Sequence, residues 1–221
     1  MIKGAIFDMD GTLVDSMSMW RQIAKDIIEE NGKVPTEEFL GGFLHYTVFE
    51  AAEIMRKDFG IDKSAEELVR EQYESIARYY REDAKLKPGV EPLLQSMNDE
   101  GIKIAIATMT DKPNVETVLE KYDLMHFFDH MITFDMVKCP KSDPKFFTTC
   151  FDLMDVDPDE AVFFEDSLRA GKTIKDLSCF LCGLYDSTWG DENNDGLKAI
   201  SDVYAEDLSH VRFENGKIFT V

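Results

Sequence analysis

The apolar residues of this chain follow two patterns, and the patterns occupy different stretches. Short unbroken runs bounded by turn residues read as strands buried on both faces, at residues 2–7, 102–107, 161–164 and 179–184, with a weaker run at 131–134. Helical segments fill most of the gaps: 91–100 after the turn KPGV, 114–122 after DKP, 144–154, and 168–177. Strands alternating with helices predict an α/β fold, a Rossmann-like open parallel sheet with helices on both faces. Residues 16–86 break the alternation, because they contain helical periodicity and no convincing strand. SMSMWRQIAKDIIEENG reads as an amphipathic helix stopped near Gly32; TVFEAAEIMRKDFG opens with the capping box Thr47/Glu50; SAEELVREQYESIARYYRED opens with another, Ser64/Glu67. In this last helix Val69, Tyr73, Ile76 and Tyr80 form the expected core stripe. The prediction is a helical module, 16–86, inserted between the first strand and a catalytic core of 1–15 and 87–221, with LKPG at 86–89 as its return hinge.

Composition narrows the function. The chain has 221 residues, 44% hydrophobic and 31% charged, as expected of a folded globular protein. A net charge of −20 repels nucleic-acid phosphates and anionic membrane surfaces, so neither is an expected partner. No apolar run approaches the roughly 18 residues needed to span a bilayer. Lys3 and Asp8 leave too short an apolar core for a secretory signal, and a cytoplasmic location is expected. Of the four cysteines, the CFLC pair at 179–182 lies in an apolar run rather than at a helix start, and all four read as buried free thiols rather than a redox or zinc motif.

The chemistry lies where the strands run out. In an open α/β sheet, ligands bind beyond the carboxyl ends of the strands. The first strand ends in Asp8-Met9-Asp10-Gly11-Thr12, the second in Thr108-Met109-Thr110, and the fourth in Glu165-Asp166-Ser167; Lys141 precedes the helix before the fourth. Asp8, Asp10, Glu165 and Asp166 repel one another unless a hard divalent cation joins them, and Mg²⁺ takes such oxygen ligands while leaving room for a phosphate. An incoming phosphoryl group gives Lys141 a charge to neutralise and the Thr108 hydroxyl an oxygen to donate to. Asp8 could then attack phosphorus to form an aspartyl-phosphate, with Asp10 protonating the leaving oxygen and later activating water. Gly11 permits the sharp turn at the strand end.

DMDGTLVDS resembles the first signature of the haloacid dehalogenase superfamily of phosphatases, in its β-phosphoglucomutase-like branch. Thr108 matches the second motif, Lys141 in KSDPKFF the third, and FFEDS the fourth; the helical insert matches that branch's cap. The resemblance covers nearly the whole chain. It implies Asp8 as nucleophile and Asp10 as acid/base. It also implies Mg²⁺ held by Asp8, the backbone carbonyl of Asp10 and Asp166, with Glu165 as a further ligand or a supporting carboxylate. The backbone N–H groups of Met9 and Met109 would help Thr108 and Lys141 bind the phosphoryl oxygens. Two departures stand out. Pro140 replaces the usual glycine before Lys141, which leaves Lys138 as a weak competitor. After EDS the expected glycine position holds Ala170, and Gly171 follows one residue late.

Several plain alternatives accompany this reading. DENNDG at 191–196 has calcium-loop spacing, but position 12 is Asp202 and no convincing helix precedes it, so a polar loop is expected. His45, Met19 and Trp20 could face a substrate, yet cap core or surface suits them better; Thr12 and Ser16 read as turn and N-cap residues. The expected activity is Mg²⁺-dependent hydrolysis of a small phosphorylated metabolite, such as a sugar phosphate. The runner-up is a β-phosphoglucomutase-type phosphomutase, which would need cap cations for a second phosphate among Arg21, Lys25, Arg56, Lys57 and Lys63. Asp10 argues against a dehalogenase, and no cap lysine marks a phosphonate hydrolase. A non-catalytic binding protein on the same fold would have lost one or more of the strand-end residues.

Overall fold

The computed structural model describes residues 1–43 and 46–221; Leu44 and His45 lie outside the described residues. The chain forms two compact units, Met1–Asp15 with Lys85–Val221, and Ser16–Ala84.

The larger unit is built on a six-stranded parallel sheet. Its strands are β1 (Gly4–Phe7), β2 (Lys103–Thr108), β3 (His130–Thr133), β4 (Ala161–Glu165), β5 (Phe180–Leu184) and β6 (Val203–Ala205), in the order β3-β2-β1-β4-β5-β6. Helices α5 (Val90–Asp99), α6 (Lys112–Lys121), α7 (Phe134–Val137), α8 (Pro144–Met154), α9 (Leu168–Asp176) and α10 (Asp191–Ile200) supply the connections. This is the Rossmann-like α/β architecture that the apolar runs predict. Every residue of β1 and β4 is buried, as strands covered on both faces must be. The Phe7 and Phe164 rings, paired in register, stack with centroids 4.2 Å apart and lock the ends of β1 and β4 together. The chain runs from β1 outward through β2 to β3, then crosses back to β4 on the other side of β1. That reversal between β1 and β4 is the switch point at which such sheets open a ligand crevice.

Two segments depart from the sequence-based expectation. DENNDG opens α10 rather than forming a polar loop: Asp191 and Glu192 lie in its first turn, where carboxylates suit the helix N-terminus. Asn193 and Asn194 bond to the protein, so the segment cannot wrap a calcium ion. Gly171 lies inside α9, where a Cβ would come within 2.8 Å of Leu197 and 3.2 Å of Leu181. The late glycine therefore serves helix packing and does not disturb the turn after Asp166. The C-terminal IFTV joins a hairpin, β7 (Val211–Glu214) with β8 (Lys217–Thr220), turned by Asn215-Gly216 with both φ positive. Gly89 sits before α5 at φ +84°, and a Cβ there would fall 2.1 Å from the Ser209 backbone nitrogen. We expect Gly89→Ala to cost at least about 2 kcal/mol, measured as a lowered urea midpoint with unchanged slope.

The four cysteines are free thiols. Burial pushes Cys150 and Cys179 up to about 12 and raises Cys182 further. Native-state alkylation with iodoacetamide at neutral pH is expected to label Cys139, which is half-buried, and to spare the other three until the protein unfolds.

The smaller unit consists of α1 (Met17–Glu30), α2 (Glu37–Gly42), α3 (Val48–Lys57) and α4 (Ala65–Glu82). Both capping boxes form, with Thr47 and Ser64 accepting from the Glu50 and Glu67 N–H groups and each glutamate reaching back. The buried stripe of α4 is Ala65, Leu68, Gln72, Ile76 and Tyr80; Tyr73 is exposed and Val69 only half-buried. A polar residue thus holds a core position. The Gln72 amide makes this tolerable by donating to the Val48 and Leu68 carbonyls at 3.1 and 3.2 Å. Met19 is buried and Trp20 half-buried on α1, and Ser16 is its N-cap residue. Among the described residues, no helix is long and apolar enough to cross a membrane.

Candidate active site

The site is built at the carboxyl ends of β1, β2 and β4. The Asp8 N–H donates to the Phe164 carbonyl at 3.0 Å, extending the ladder one residue beyond β1 and holding Asp8 beside Glu165. The chain then turns tightly: the Met9 carbonyl accepts from the Leu13 and Val14 N–H groups at 2.9 Å each, with Gly11 at φ +80°. This turn aims Asp8 and Asp10 past the end of the sheet rather than along it.

Lys141 reaches the same place from the loop before α8. Asp143 caps that helix by accepting from the Lys145 N–H at 2.9 Å, Pro144 fills its first turn, and Phe146 and Phe147 are fully buried. The Phe147 ring meets Phe163 edge-on at 5.1 Å, so the KSDPKFF segment is pinned against β4. Lys141 Nζ then lies 2.6 Å from Asp8 Oδ1 and 2.8 Å from Glu165 Oε2. Lys138 ends α7 in the left-handed region and is exposed, so Lys141 is the lysine that meets the carboxylates.

Asp8, Glu165 and Asp166 each offer a carboxylate oxygen within 4.8 Å of the other two, and all three are buried. Burial, then the Glu165 charge, hold the Asp8 carboxyl well above its usual range, with Lys141 opposing; burial and the neighbouring carboxylates likewise raise Asp166. Burial lowers the Lys141 ammonium, but Asp8 and Glu165 outweigh it and hold it above its ordinary value. Among the described residues, the Lys141 ammonium is bonded to two members of this cluster of three carboxylates. A divalent cation bound by hard oxygen donors fits this imbalance and this donor set. Glu165 uses both oxygens within the protein, one on Lys141 and the other accepting from the Ser167 N–H at 3.1 Å. It therefore orients Lys141 and the turn after β4.

Asp10 has a different setting. Its Oδ2 accepts from the Thr110 hydroxyl at 2.5 Å, and its side chain is not part of the three-carboxylate cluster. Thr108, the last residue of β2, is buried, and its Oγ1 accepts from the Thr110 N–H at 3.1 Å. Met9 and Met109 follow Asp8 and Thr108 at the strand ends; the Met9 side chain is buried and Met109 is exposed. Three further residues join the site; the sequence presents Thr110 only as part of the second strand's end and assigns Trp189 and Asn193 no part in it. Thr110 holds Asp10, and its only signal is its position two residues after Thr108. Trp189 Nε1 donates to Asp166 Oδ2 at 2.6 Å, and Asn193 Nδ2 donates to the Asp166 carbonyl at 2.9 Å.

A family profile described as haloacid dehalogenase-like hydrolase matches residues 5–176. The chain is similar to the phosphorylated carbohydrates phosphatase of Thermotoga maritima, 31% identical over 174 residues that span 79% of this chain and 81% of that protein. It is also similar to the beta-phosphoglucomutase of Bacillus subtilis, 26% identical over 195 residues and 83% of each chain. Among solved structures, a mutant of CbbY from Rhodobacter sphaeroides in complex with xylulose-(1,5)bisphosphate superposes with a TM-score of 0.81. That match covers 98% of this chain and 99% of the other at 22% identity, and supports the fold.

Proposed function

The chain belongs to the haloacid dehalogenase-like hydrolase family, and from that premise we propose that it is a Mg²⁺-dependent phosphohydrolase of a small phosphorylated metabolite, a phosphorylated carbohydrate above all. The observation that carries this reading is the buried cluster of Asp8, Glu165 and Asp166 with Lys141 bonded to two of its members. The similarity to a phosphatase of phosphorylated carbohydrates supports the substrate class.

In this reading Asp8, Asp166 and the Asp10 backbone carbonyl hold the cation, and Glu165 supports them through Lys141. Bound there, Mg²⁺ supplies positive charge that offsets the carboxylates and the phosphoryl oxygens. Lys141, the Thr108 hydroxyl and the N–H groups of Met9 and Met109 bind and orient the phosphoryl group. An Asp8 oxygen attacks phosphorus, the bond from phosphorus to the ester oxygen breaks, and Asp10 gives that oxygen a proton. Water then attacks the phosphorus of the aspartyl-phosphate and gives a proton to Asp10. Inorganic phosphate leaves and the Asp8 carboxylate is restored. Thr110 fixes the Asp10 carboxyl for both transfers. The helical unit would serve as the cap that excludes bulk water and selects substrate by size.

The similarity to a beta-phosphoglucomutase favours a second reading, in which the phosphoryl group returns to a sugar. That chemistry needs cap cations for the non-reacting phosphate. Arg21, Lys25, Arg56, Lys57 and Lys63 each face a glutamate of their own unit, which weighs toward hydrolysis. A phosphate-release screen over phosphorylated metabolites with Mg²⁺, including β-glucose 1-phosphate with and without a bisphosphate activator, separates the two. Phosphate release that a chelator silences and added Mg²⁺ restores is expected. Isomerisation without net phosphate release would replace the hydrolase reading, and a rate indifferent to the chelator would remove the cation.

A further inference from the structure

We infer that Trp189 is a positioning residue for Asp166: its indole N–H holds one carboxylate oxygen so that the other is presented to the cation. This rests on the cation site proposed above. The hydrogen bond to Asp166 Oδ2 measures 2.6 Å, and Asp166 is almost wholly buried. Two more bonds from the same segment fix the backbone around that carboxylate. Asn193 donates to the Asp166 carbonyl at 2.9 Å while its Oδ1 accepts from the Leu168 N–H at 2.8 Å. One amide thus clamps both sides of the turn that leads from β4 into α9.

The segment that carries Trp189 and Asn193 is itself anchored. Asp186 pairs with Lys87 at 2.7 Å, both side chains being nearly buried. Asp186 Oδ1 also accepts from the Thr188 N–H at 2.9 Å, and the Asn194 amide donates to the Asp186 carbonyl at 3.0 Å. The indole therefore approaches Asp166 from a fixed frame. An indole N–H is a neutral donor with no acceptor atom, so it orients a carboxylate without adding charge or competing as a ligand. A carboxylate with one oxygen so held offers a cation its other oxygen, and the mode of binding suits the compact octahedral demand of Mg²⁺. Partners of this kind change metal affinity by about 10–100-fold when removed.

The experiment is calorimetric titration of Mg²⁺ into the full chain, without substrate, for the wild type and Trp189→Phe. The substitution keeps an aromatic ring and removes the N–H. Its dissociation constant for Mg²⁺ should rise by about tenfold or more, while its melting temperature in chelator stays within a few degrees of the wild type. In Trp20→Phe, Trp189 is the sole tryptophan, and its emission should change with added Mg²⁺ at the midpoint seen by calorimetry. That arm decides alone should Trp189→Phe fail to fold. Equal Mg²⁺ affinity in wild type and Trp189→Phe, or Trp189 emission blind to Mg²⁺, would overturn the inference. A wild type that binds no Mg²⁺ would instead remove the cation site, and the role of Trp189 with it.

Discussion

Asp8→Asn should abolish turnover of an aryl phosphate, by at least about a thousandfold, while the protein keeps its fold. Asparagine preserves the shape of the side chain and can still accept from Lys141, but it cannot form the aspartyl-phosphate. The stability expectation is unusual for a buried substitution. Burial and the Glu165 charge both disfavour an ionised Asp8, so removing that charge relieves repulsion even as it weakens the pair with Lys141. In chelator, the melting temperature of Asp8→Asn should therefore lie at or above that of the wild type. Circular dichroism melts beside a nitrophenyl phosphate assay check both halves. Activity near the wild-type level would remove Asp8 as nucleophile; collapse of the fold would show that the pair with Lys141 is structural.

Lys141→Met should be the reverse case, losing activity and stability together. The ammonium is the cation bonded to both Asp8 and Glu165, and its loss leaves their buried charges uncompensated. Breaking a buried ion pair from one side costs about 3–5 kcal/mol. Urea unfolding in chelator should show a loss of that order, and saturating Mg²⁺ should return a measurable part of it by binding the folded state. Lys141→Arg should recover much of the stability but little of the activity, because a planar guanidinium does not replace a compact ammonium between two carboxylates. A Lys141→Met variant as stable as the wild type in chelator would mean that the cluster is far better solvated than its burial implies.

Asp8 is legible in the sequence for a physical reason, whereas Lys141 lies in the loop before α8 and is marked by its KSDPKFF setting. Strands of a parallel sheet are buried on both faces, so they appear as apolar runs whose ends are unmistakable. Polar residues at those ends must lie along one edge of the sheet. That logic alone picks out Asp8, Thr108, Glu165 and Asp166. It does not reach residues that approach the site from elsewhere. Trp189 bonds to Asp166 across 23 positions of chain, and no periodicity marks it. β6 is three residues long with only Ala205 buried, too short to produce an apolar run. In α4, Gln72 occupies the core, so the apolar residues alone mark a stripe rotated from the buried one. DENNDG is ambiguous by composition, since acidic residues suit a helix N-terminus as well as a polar loop. The hairpin of β7 and β8 did carry a signal, the Asn215-Gly216 pair, whose two positive φ angles suit a tight hairpin turn.

The central claim is that Asp8 itself carries the phosphoryl group during turnover. It is tested most directly in Asp10→Asn with an aryl phosphate, whose leaving group needs little help from a proton donor, so that the intermediate forms but water is not activated against it. Rapid acid quenching followed by borohydride reduction converts an acyl phosphate to the alcohol, and peptide mass spectrometry then locates it. The account predicts homoserine at position 8, absent without Mg²⁺ and absent from the Asp8→Asn, Asp10→Asn double variant. Turnover with no modified residue at position 8, or modification at another carboxylate, would contradict it.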